Sequence, residues 1–159
     1  MKIRLFAKED VYQVLGIQER CPEAARWLEV DYLRLAEDPG GLILVAELEA
    51  GDPASILGFA AFHRVMEEAE LRNIAVHPEH QHQGVGRALL EAGSKRLGEA
   101  GARRLFLEVR ASNNRALELY HSMGFGLCLL RKNYYHDPQE DALVLALDLS
   151  PHAMIPSVR

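Results

Sequence analysis

The chain has 159 residues, of which 48% are hydrophobic and 26% are charged, and its formal net charge at pH 7 is −5. This length suits one domain, and the composition is that of a chain with a packed core rather than a disordered one. The negative charge disfavours direct nucleic-acid binding, and no apolar run approaches membrane-spanning length. The first ten residues contain no signal-peptide core, so we expect a cytoplasmic protein.

Strand and helix patterns alternate along the chain. In order, we expect a strand at 2–6, helices at 8–19 and 23–37, strands at 42–49, 55–64 and 67–77, a helix at 84–100, a strand at 103–109, a helix at 113–123, and strands at 126–132 and 141–148. Gly51-Asp52-Pro53 is a predicted turn. Mixed elements in this order indicate an α/β (α+β) sheet domain over residues 1–149, and we expect residues 150–159 to form a flexible tail.

The most informative segment is Gln81–Arg87, which lies between a predicted strand and a predicted helix. Its two glycines, Gly84 and Gly86, let the backbone approach a ligand closely. The first N–H groups of a helix have no internal partner, and the helix dipole adds partial positive charge, so the turn suits a phosphate or pyrophosphate. No P-loop lysine follows the glycines, and Leu89 stands where a dinucleotide fingerprint needs a small residue.

A second block, Leu105–Phe125, has the pattern of a strand, a cap, a helix and a glycine stop. Its motif N-x-x-A-x-x-x-Y-x-x-x-G-F begins at Asn113, and the earlier segment has the motif Q-x-x-G-x-G from Gln81. Together the two motifs resemble the GNAT N-acetyltransferase superfamily. Within it, residues 3–149 are similar to the bacterial ribosomal-protein-alanine N-acetyltransferases, most clearly from residue 71 onward.

The resemblance implies the GNAT fold, a mixed central sheet of about seven strands flanked by about four helices. The fourth and fifth strands, here 67–77 and 103–109, splay apart and leave a notch. Acetyl-CoA is the implied acetyl donor, without a metal. The implied cofactor-binding residues are Ile74, Ala75 and Val76 along the pantetheine arm, His82, Gln83, Gly84, Val85, Gly86 and Arg87 around the pyrophosphate, and Asn113 beside the pantetheine.

Two residues carry the implied proton transfers. The resemblance makes Glu108 the general base and Tyr120 the general acid for the leaving thiolate. Glu108 is the only charge in an apolar strand segment, and burial there favours proton uptake, which suits a base. Three alternatives stay open: Glu108 is a solvated strand residue, Tyr120 is a core aromatic, and Glu70 on the earlier strand is the base. Asn113 is alternatively only a helix cap.

The implied acceptor is a protein N-terminal α-amino group, most closely the N-terminal alanine of a small-subunit ribosomal protein, attacked directly through a tetrahedral intermediate. Tyr134 and Tyr135 correspond to tyrosines that contact the acceptor terminus in the resembling enzymes; alternatively they are ordinary aromatics at a strand end. A lysine side chain, a polyamine or an aminoglycoside is another possible acceptor. A non-catalytic acetyl-CoA-binding sensor is the alternative from a different class.

Histidines and cysteines provide no predicted metal site. His77, His80 and His82 cluster around Pro78, but no matched cysteine or helical histidine pair accompanies them, so we interpret them as a solvated loop. The two cysteines lie far apart in the sequence and form no disulfide or metal framework.

Overall fold

The computed structural model describes residues 1–51 and 54–150. The strands are β1 (Lys2–Leu5), β2 (Gly41–Leu48), β3 (Ser55–Val65), β4 (Glu68–Val76), β5 (Arg104–Arg110), β6 (Gly126–Tyr135) and β7 (Glu140–Asp148). The helices are α1 (Val11–Glu19), α2 (Glu29–Glu37), α3 (Val85–Glu99) and α4 (Asn114–Ser122), with 3-10 turns at Lys8–Asp10 and Pro78–His80. Most of the predicted turn at 51–53 and the predicted tail from 151 onward lie outside the described residues.

One seven-stranded sheet organises the molecule, in the order β1-β2-β3-β4-β5-β7-β6. Among the described strands, β4 and β5 alone run parallel, and every other pair of neighbours is antiparallel. The predicted mixed sheet of seven strands with four helices is therefore confirmed. The parallel pair lies at the centre of the sheet. It can be parallel because α3 carries the chain across the sheet between β4 and β5.

Helices cover the two faces of the sheet unequally. On one face α3 and α4 enclose a core that includes Leu89, Leu90 and Tyr120 and reaches from β2 to β7. On the other face α1 and α2 pack only over β2, β3 and β4, around residues such as Phe59 and Tyr32. The second face of β5, β7 and β6 is therefore not covered by α1 or α2, and it is bordered by the central gap described below.

The helix predicted from residue 8 starts as a 3-10 turn at Lys8–Asp10 before α1, and two other predicted boundaries were wrong. The second helix begins at Glu29 rather than at residue 23, because buried side chains bind the backbone ahead of it: Asn73 contacts both the N–H and the C=O of Ala25, and Gln18 donates to the Trp27 carbonyl. Strand β6 continues to Tyr135 instead of ending at residue 132. The two predicted acceptor tyrosines therefore belong to a strand.

Helix length decides whether a helix could span a membrane. The longest helix, α3, has 15 residues. Across residues 1–51 and 54–150, no helix combines the length and the apolar character that crossing a bilayer requires.

Candidate active site

The central strands β4 and β5 part along their length. They pair in parallel only from Glu68–Arg104 to Glu70–Phe106. Beyond that point β4 continues to Val76 and β5 to Arg110, and these fully described strands form no further pair with each other. Main-chain N–H and C=O groups along the gap can therefore bind an extended ligand by strand addition. The predicted opening between the fourth and fifth strands is present.

A β-bulge in β4 lies where the gap opens. β3 pairs with Leu71 and next with Asn73, so Arg72 is the extra residue. A bulge bends its strand and redirects the side chains beyond it. Accordingly, Leu71 packs into the core under α3, whereas Asn73 reaches the opposite face and donates to the Tyr32 hydroxyl at 2.9 Å. The bulge thus turns β4 just before the predicted pantetheine segment, Ile74–Val76.

The glycine loop is built to receive an anion. Gly84 has a φ of 84°, in the left-handed region, and α3 begins at the next residue. The first helical hydrogen bond runs from the Ala88 N–H to the Gly84 carbonyl at 3.0 Å, so the N–H groups of residues 85–87 have no intrahelical acceptor. Gly86 lies between Val76 at the end of β4 and Leu119 of α4. These free donors at the edge of the gap fit a pyrophosphate.

Side chains hold this loop against its neighbours. Gln81 donates to the Val76 carbonyl at 3.1 Å, which ties the loop to β4. Arg87 donates to the Ser122 hydroxyl of α4. His82, with a φ of 63°, lies 2.8 Å from the guanidinium of Arg115 through its Nε2 atom. The loop therefore combines main-chain donors with two arginines, a composition that suits a phosphate ligand.

Two predicted cofactor residues have identified structural roles. The Asn113 side chain accepts the Ala116 N–H at 3.3 Å, so it caps α4. Its contact with a pantetheine arm stays a prediction. The Val85 side chain is buried in the core, so a contact of this residue with a pyrophosphate would have to come from its main chain.

Glu108 lies on the face of β5 that α3 and α4 do not cover. Strand alternation sends Leu105 and Leu107 into the core and Glu108 away from it. Its side chain is 30% exposed, and its Oε1 atom lies 3.7 Å from Nε of Arg131. The expectation that Glu108 is buried among apolar neighbours was wrong, because those neighbours point to the opposite face. What surrounds the carboxylate is polar.

Tyr134 and Tyr135 lie near Glu108, and Tyr120 interacts with Tyr135. The charge of Glu108, and a hydrogen bond to it, raise the pKa of Tyr134. Burial and then the Glu108 charge raise the pKa of Tyr135. Burial and then the charge of Tyr135 raise the pKa of Tyr120 to about 12. Tyr120 is thus a core aromatic that stays protonated at neutral pH, and Tyr135 interacts electrostatically with both Tyr120 and Glu108.

Glu70, the alternative base, faces the same cluster from β4. It is the last β4 residue paired with β5, and its carboxylate lies 3.9 Å from Nε of Arg72. Its charge also contributes to the raised pKa of Tyr134. Beyond Arg72, a cavity of about 460 Å³ opens beside α2, lined by Trp27, Asp31, Arg34, Leu35, Asp38, His63 and Arg72. Arg72 therefore belongs both to the lining of this cavity and to the ion pair with Glu70.

One group of potential metal ligands occurs in the described part of the chain. Ligand atoms of His77, Glu79 and His80 lie within 4.8 Å of one another. The His77 ring is already engaged, because its Nδ1 accepts the Glu79 N–H at 3.1 Å and its Nε2 lies 3.0 Å from the guanidinium of Arg20. The absence of a metal site stays an expectation.

Sequence reasoning missed two arginines at the site. Arg131 approaches Glu108 from β6. The pairing of β6 with β7 contains bulges, so the register that brings Arg131 to Glu108 cannot be predicted from the sequence. Arg110 follows Glu108 by two residues in β5 and stacks its guanidinium 4.2 Å from the ring centre of Tyr135. Its spacing from Glu108 could have predicted that the two side chains lie on the same side of the sheet, because residues two apart in a strand share a face.

Several known proteins are similar to this chain in sequence and in structure. The [ribosomal protein bS18]-alanine N-acetyltransferase of Escherichia coli K12 is 50% identical over 94 residues, which are 58% of this chain and 64% of that enzyme, just under two thirds of its length. The enzyme of the same name from Salmonella typhimurium is 38% identical over 150 residues, 93% of this chain and 97% of that protein. The crystal structure of the Escherichia coli ribosomal-protein-S18-alanine N-acetyltransferase superposes with a TM-score of 0.81 at 35% identity, covering 94% of each chain.

The family follows from a match that covers most of the chain. Residues 8–125 match the Acetyltransferase (GNAT) family. That range contains the parted strands, the glycine loop and both members of the Glu108–Tyr120 pair. The chain belongs to the GNAT family of acetyltransferases.

Proposed function

We propose that this chain transfers the acetyl group of acetyl-CoA to the N-terminal α-amino group of a protein, with the N-terminal alanine of a small-subunit ribosomal protein as the acceptor. The names of the bacterial relatives and the family match support the reaction and the acceptor. Residues 1–149 act as one catalytic domain in this proposal, because the sheet runs from β1 to β7. Ribosomal proteins are cytoplasmic acceptors, so we assign the enzyme to the cytoplasm.

The residues on the α3 side of the gap fit acetyl-CoA as the donor. The main chain of Ile74, Ala75 and Val76 borders the gap and would pair with the pantetheine arm. The free N–H groups at the start of α3 would bind the pyrophosphate, with His82, Gln83 and Gly84 completing the turn before them. Acetyl-CoA supplies the activated acetyl group, and the residues of this chain bind and orient it.

The acceptor would bind on the other face of the sheet. A peptide α-amino group has a pKa of about 7.7–8.0, so its deprotonation near neutral pH needs only a modest base. Glu108 would accept that proton, directly or through a water, with Tyr134 and Tyr135 contacting the terminus. Tyr120 would protonate the leaving thiolate, since its raised pKa keeps it protonated at neutral pH.

One observation carries the proposal: β4 and β5 separate beyond the Glu70–Phe106 pair, and Glu108 lies on β5 just past that point. Two candidate reactants on opposite faces of the sheet would meet there. Holding an amine against a thioester in such a gap supplies a proximity advantage of several kcal/mol, up to about 7–11 kcal/mol for ideal alignment.

The test is acetylation of short peptides, read by mass and by release of the coenzyme A thiol. The panel contains a peptide that begins with alanine, its Nα-blocked form, the same peptide with another first residue, and the blocked form with an internal lysine. We expect modification of the free alanine terminus alone. Modification of the blocked lysine peptide at a comparable rate would contradict N-terminal specificity, and no thiol release from any acceptor would contradict the enzymatic function.

A further inference from the structure

The hairpin that carries the two acceptor tyrosines has little apolar packing. Residues 131–134 and the turn 136–139 are exposed, and only Tyr135, Glu140 and Asp141 are partly buried. A two-stranded ribbon without an apolar face is at best marginally stable. Polar contacts must therefore hold this part of the hairpin in place over Glu108.

Those contacts converge on one guanidinium. Nη1 of Arg110 donates to the Pro138 carbonyl and to Oε1 of Glu140, each at 3.1 Å. Nη2 approaches the His136 carbonyl at 3.5 Å. The same guanidinium stacks on the ring of Tyr135, with its carbon 4.2 Å from the ring centre. Arg110 thus contacts the end of β6, the turn and the start of β7 at once.

Glu140 connects this arginine to the chain that follows β5. Its carboxylate accepts the Ser112 N–H at 3.2 Å and the Ser112 hydroxyl at 3.0 Å. Hydrogen bonds from Ser112, and then the bond from Arg110, hold the pKa of Glu140 below its usual range. The carboxylate is therefore ionised at neutral pH, and its side chain is only 17% exposed. Ionised partners in a shielded site form the stronger class of hydrogen bond.

We propose that Arg110 is a positioning residue for the acceptor: it fastens the β6–β7 hairpin so that Tyr134 and Tyr135 stand over Glu108. This inference rests on the proposed function, because it assigns the hairpin to the acceptor side. Arg110 lies on the same face of β5 as Glu108, two residues away, and it makes no contact with the glycine loop in the described structure. Its loss should therefore affect acceptor binding and leave the cofactor side unchanged.

Lysine cannot replace this arginine fully. A guanidinium offers five donors in a planar fork and stacks flat on an aromatic ring, whereas an ammonium is a compact point charge. Arg110→Lys should keep the ion pair with Glu140 but lose the shared carbonyl contacts and the stacking on Tyr135. Arg110→Met keeps only the length of the side chain.

The experiment compares Arg110→Met and Arg110→Lys with the matched control Arg104→Met. Arg104 occupies the same strand and the same face, and it has its own ring contact, 4.8 Å from the centre of Phe106. We expect Arg110→Met to raise KM for the alanine peptide about 10- to 100-fold, because a small displacement of positioning groups has costs of that order. KM for acetyl-CoA should stay within about twofold of the wild type, Arg110→Lys should be intermediate, and Arg104→Met should leave acceptor KM unchanged.

Hydrogen exchange measured by mass spectrometry provides a second readout that does not depend on turnover. Amides of residues 133–141 should lose protection in Arg110→Met but not in Arg104→Met, while the amides of α3 keep theirs. If the wild type acetylates no peptide, the proposed function fails, but this exchange result still tests the fastening role. Unchanged protection of the hairpin, or a rise in acceptor KM no larger than that of Arg104→Met, would overturn the proposal. Equal loss of acetyl-CoA binding would overturn it as well, because that marks a general structural defect.

Discussion

Replacing Glu108 with glutamine separates the catalytic role of this residue from its structural role. Glutamine keeps the shape of the side chain but removes the negative charge and the capacity to accept the amine proton. The local contacts that change are the 3.7 Å pair with Arg131 and the interaction with Tyr134. Glu108→Gln should therefore fold normally and bind acetyl-CoA as the wild type does.

The expected magnitudes differ enough to be diagnostic. The Glu108 and Arg131 side chains are 30% and 47% exposed, and an exposed ion pair contributes about 0.2–1 kcal/mol to stability. Loss of a general base lowers kcat about 10²- to 10⁴-fold. At 1.36 kcal/mol per tenfold change, that is about 2.7–5.4 kcal/mol of activation free energy. The kinetic effect thus exceeds the effect on stability several-fold.

The assay measures kcat and both KM values at pH 7–8, with Glu70→Gln as the matched control. Glu70 lies on the neighbouring strand, is 52% exposed and has a comparable arginine partner at 3.9 Å. We expect Glu70→Gln to lower kcat by less than about tenfold, well short of the loss of a general base. The opposite ranking would assign the base to Glu70, and two nearly active variants would leave deprotonation to solvent; either result refutes the reasoning for Glu108.

Two further predictions concern the acid and the glycine loop. Tyr120→Phe keeps the ring packed 5.6 Å from that of Phe125 and removes only the hydroxyl, so kcat should fall about 10²-fold with little change in thermal stability; wild-type turnover would exclude Tyr120 as the acid. Gly84→Ala adds a methyl group that meets no atom within 4 Å but places alanine at a φ of 84°, which costs about 1–2 kcal/mol. It should raise KM for acetyl-CoA more than Gly126→Ala does, a control position with equal space and no positive φ. Equal KM values of the two variants in a steady-state titration would contradict binding of acetyl-CoA by the glycine loop.

The segments with the densest local signals were predictable from sequence. The glycine loop and the Asn113–Phe125 helix each combine a start signal, a periodic face and a stop, and both lie within about a residue of where they were expected. The parting of β4 and β5 came from the family resemblance, because no local pattern encodes the end of pairing between two strands. The bulge at Arg72 was equally invisible, since its effect appears only as a change of face between Leu71 and Asn73.

The errors at residues 23–28 and at Glu108 share a physical cause, because parts of the chain that are distant in sequence decided both. Residues 23–28 have helical propensity, yet Asn73 binds the backbone of Ala25 from 48 residues away and holds that segment out of a helix. The solvation of Glu108 depends on which face of β5 lacks a helix, and this follows from the positions of α1 and α2 over β2–β4 only. Single-sequence patterns carry no information on either contact.

The unequal covering of the sheet also explains why the proposed proton donor and acceptor have such different surroundings. Tyr120 belongs to the closed face under α3 and α4, where burial raises its pKa and keeps it protonated. Glu108 belongs to the open face, where it is partly exposed to solvent and lies 3.7 Å from Arg131. The proposed mechanism would thus place the acid on the side of the bound donor and the base on the side of the entering amine. In the proposed mechanism, the gap between β4 and β5 would let the two act on one reacting centre while each keeps its own environment.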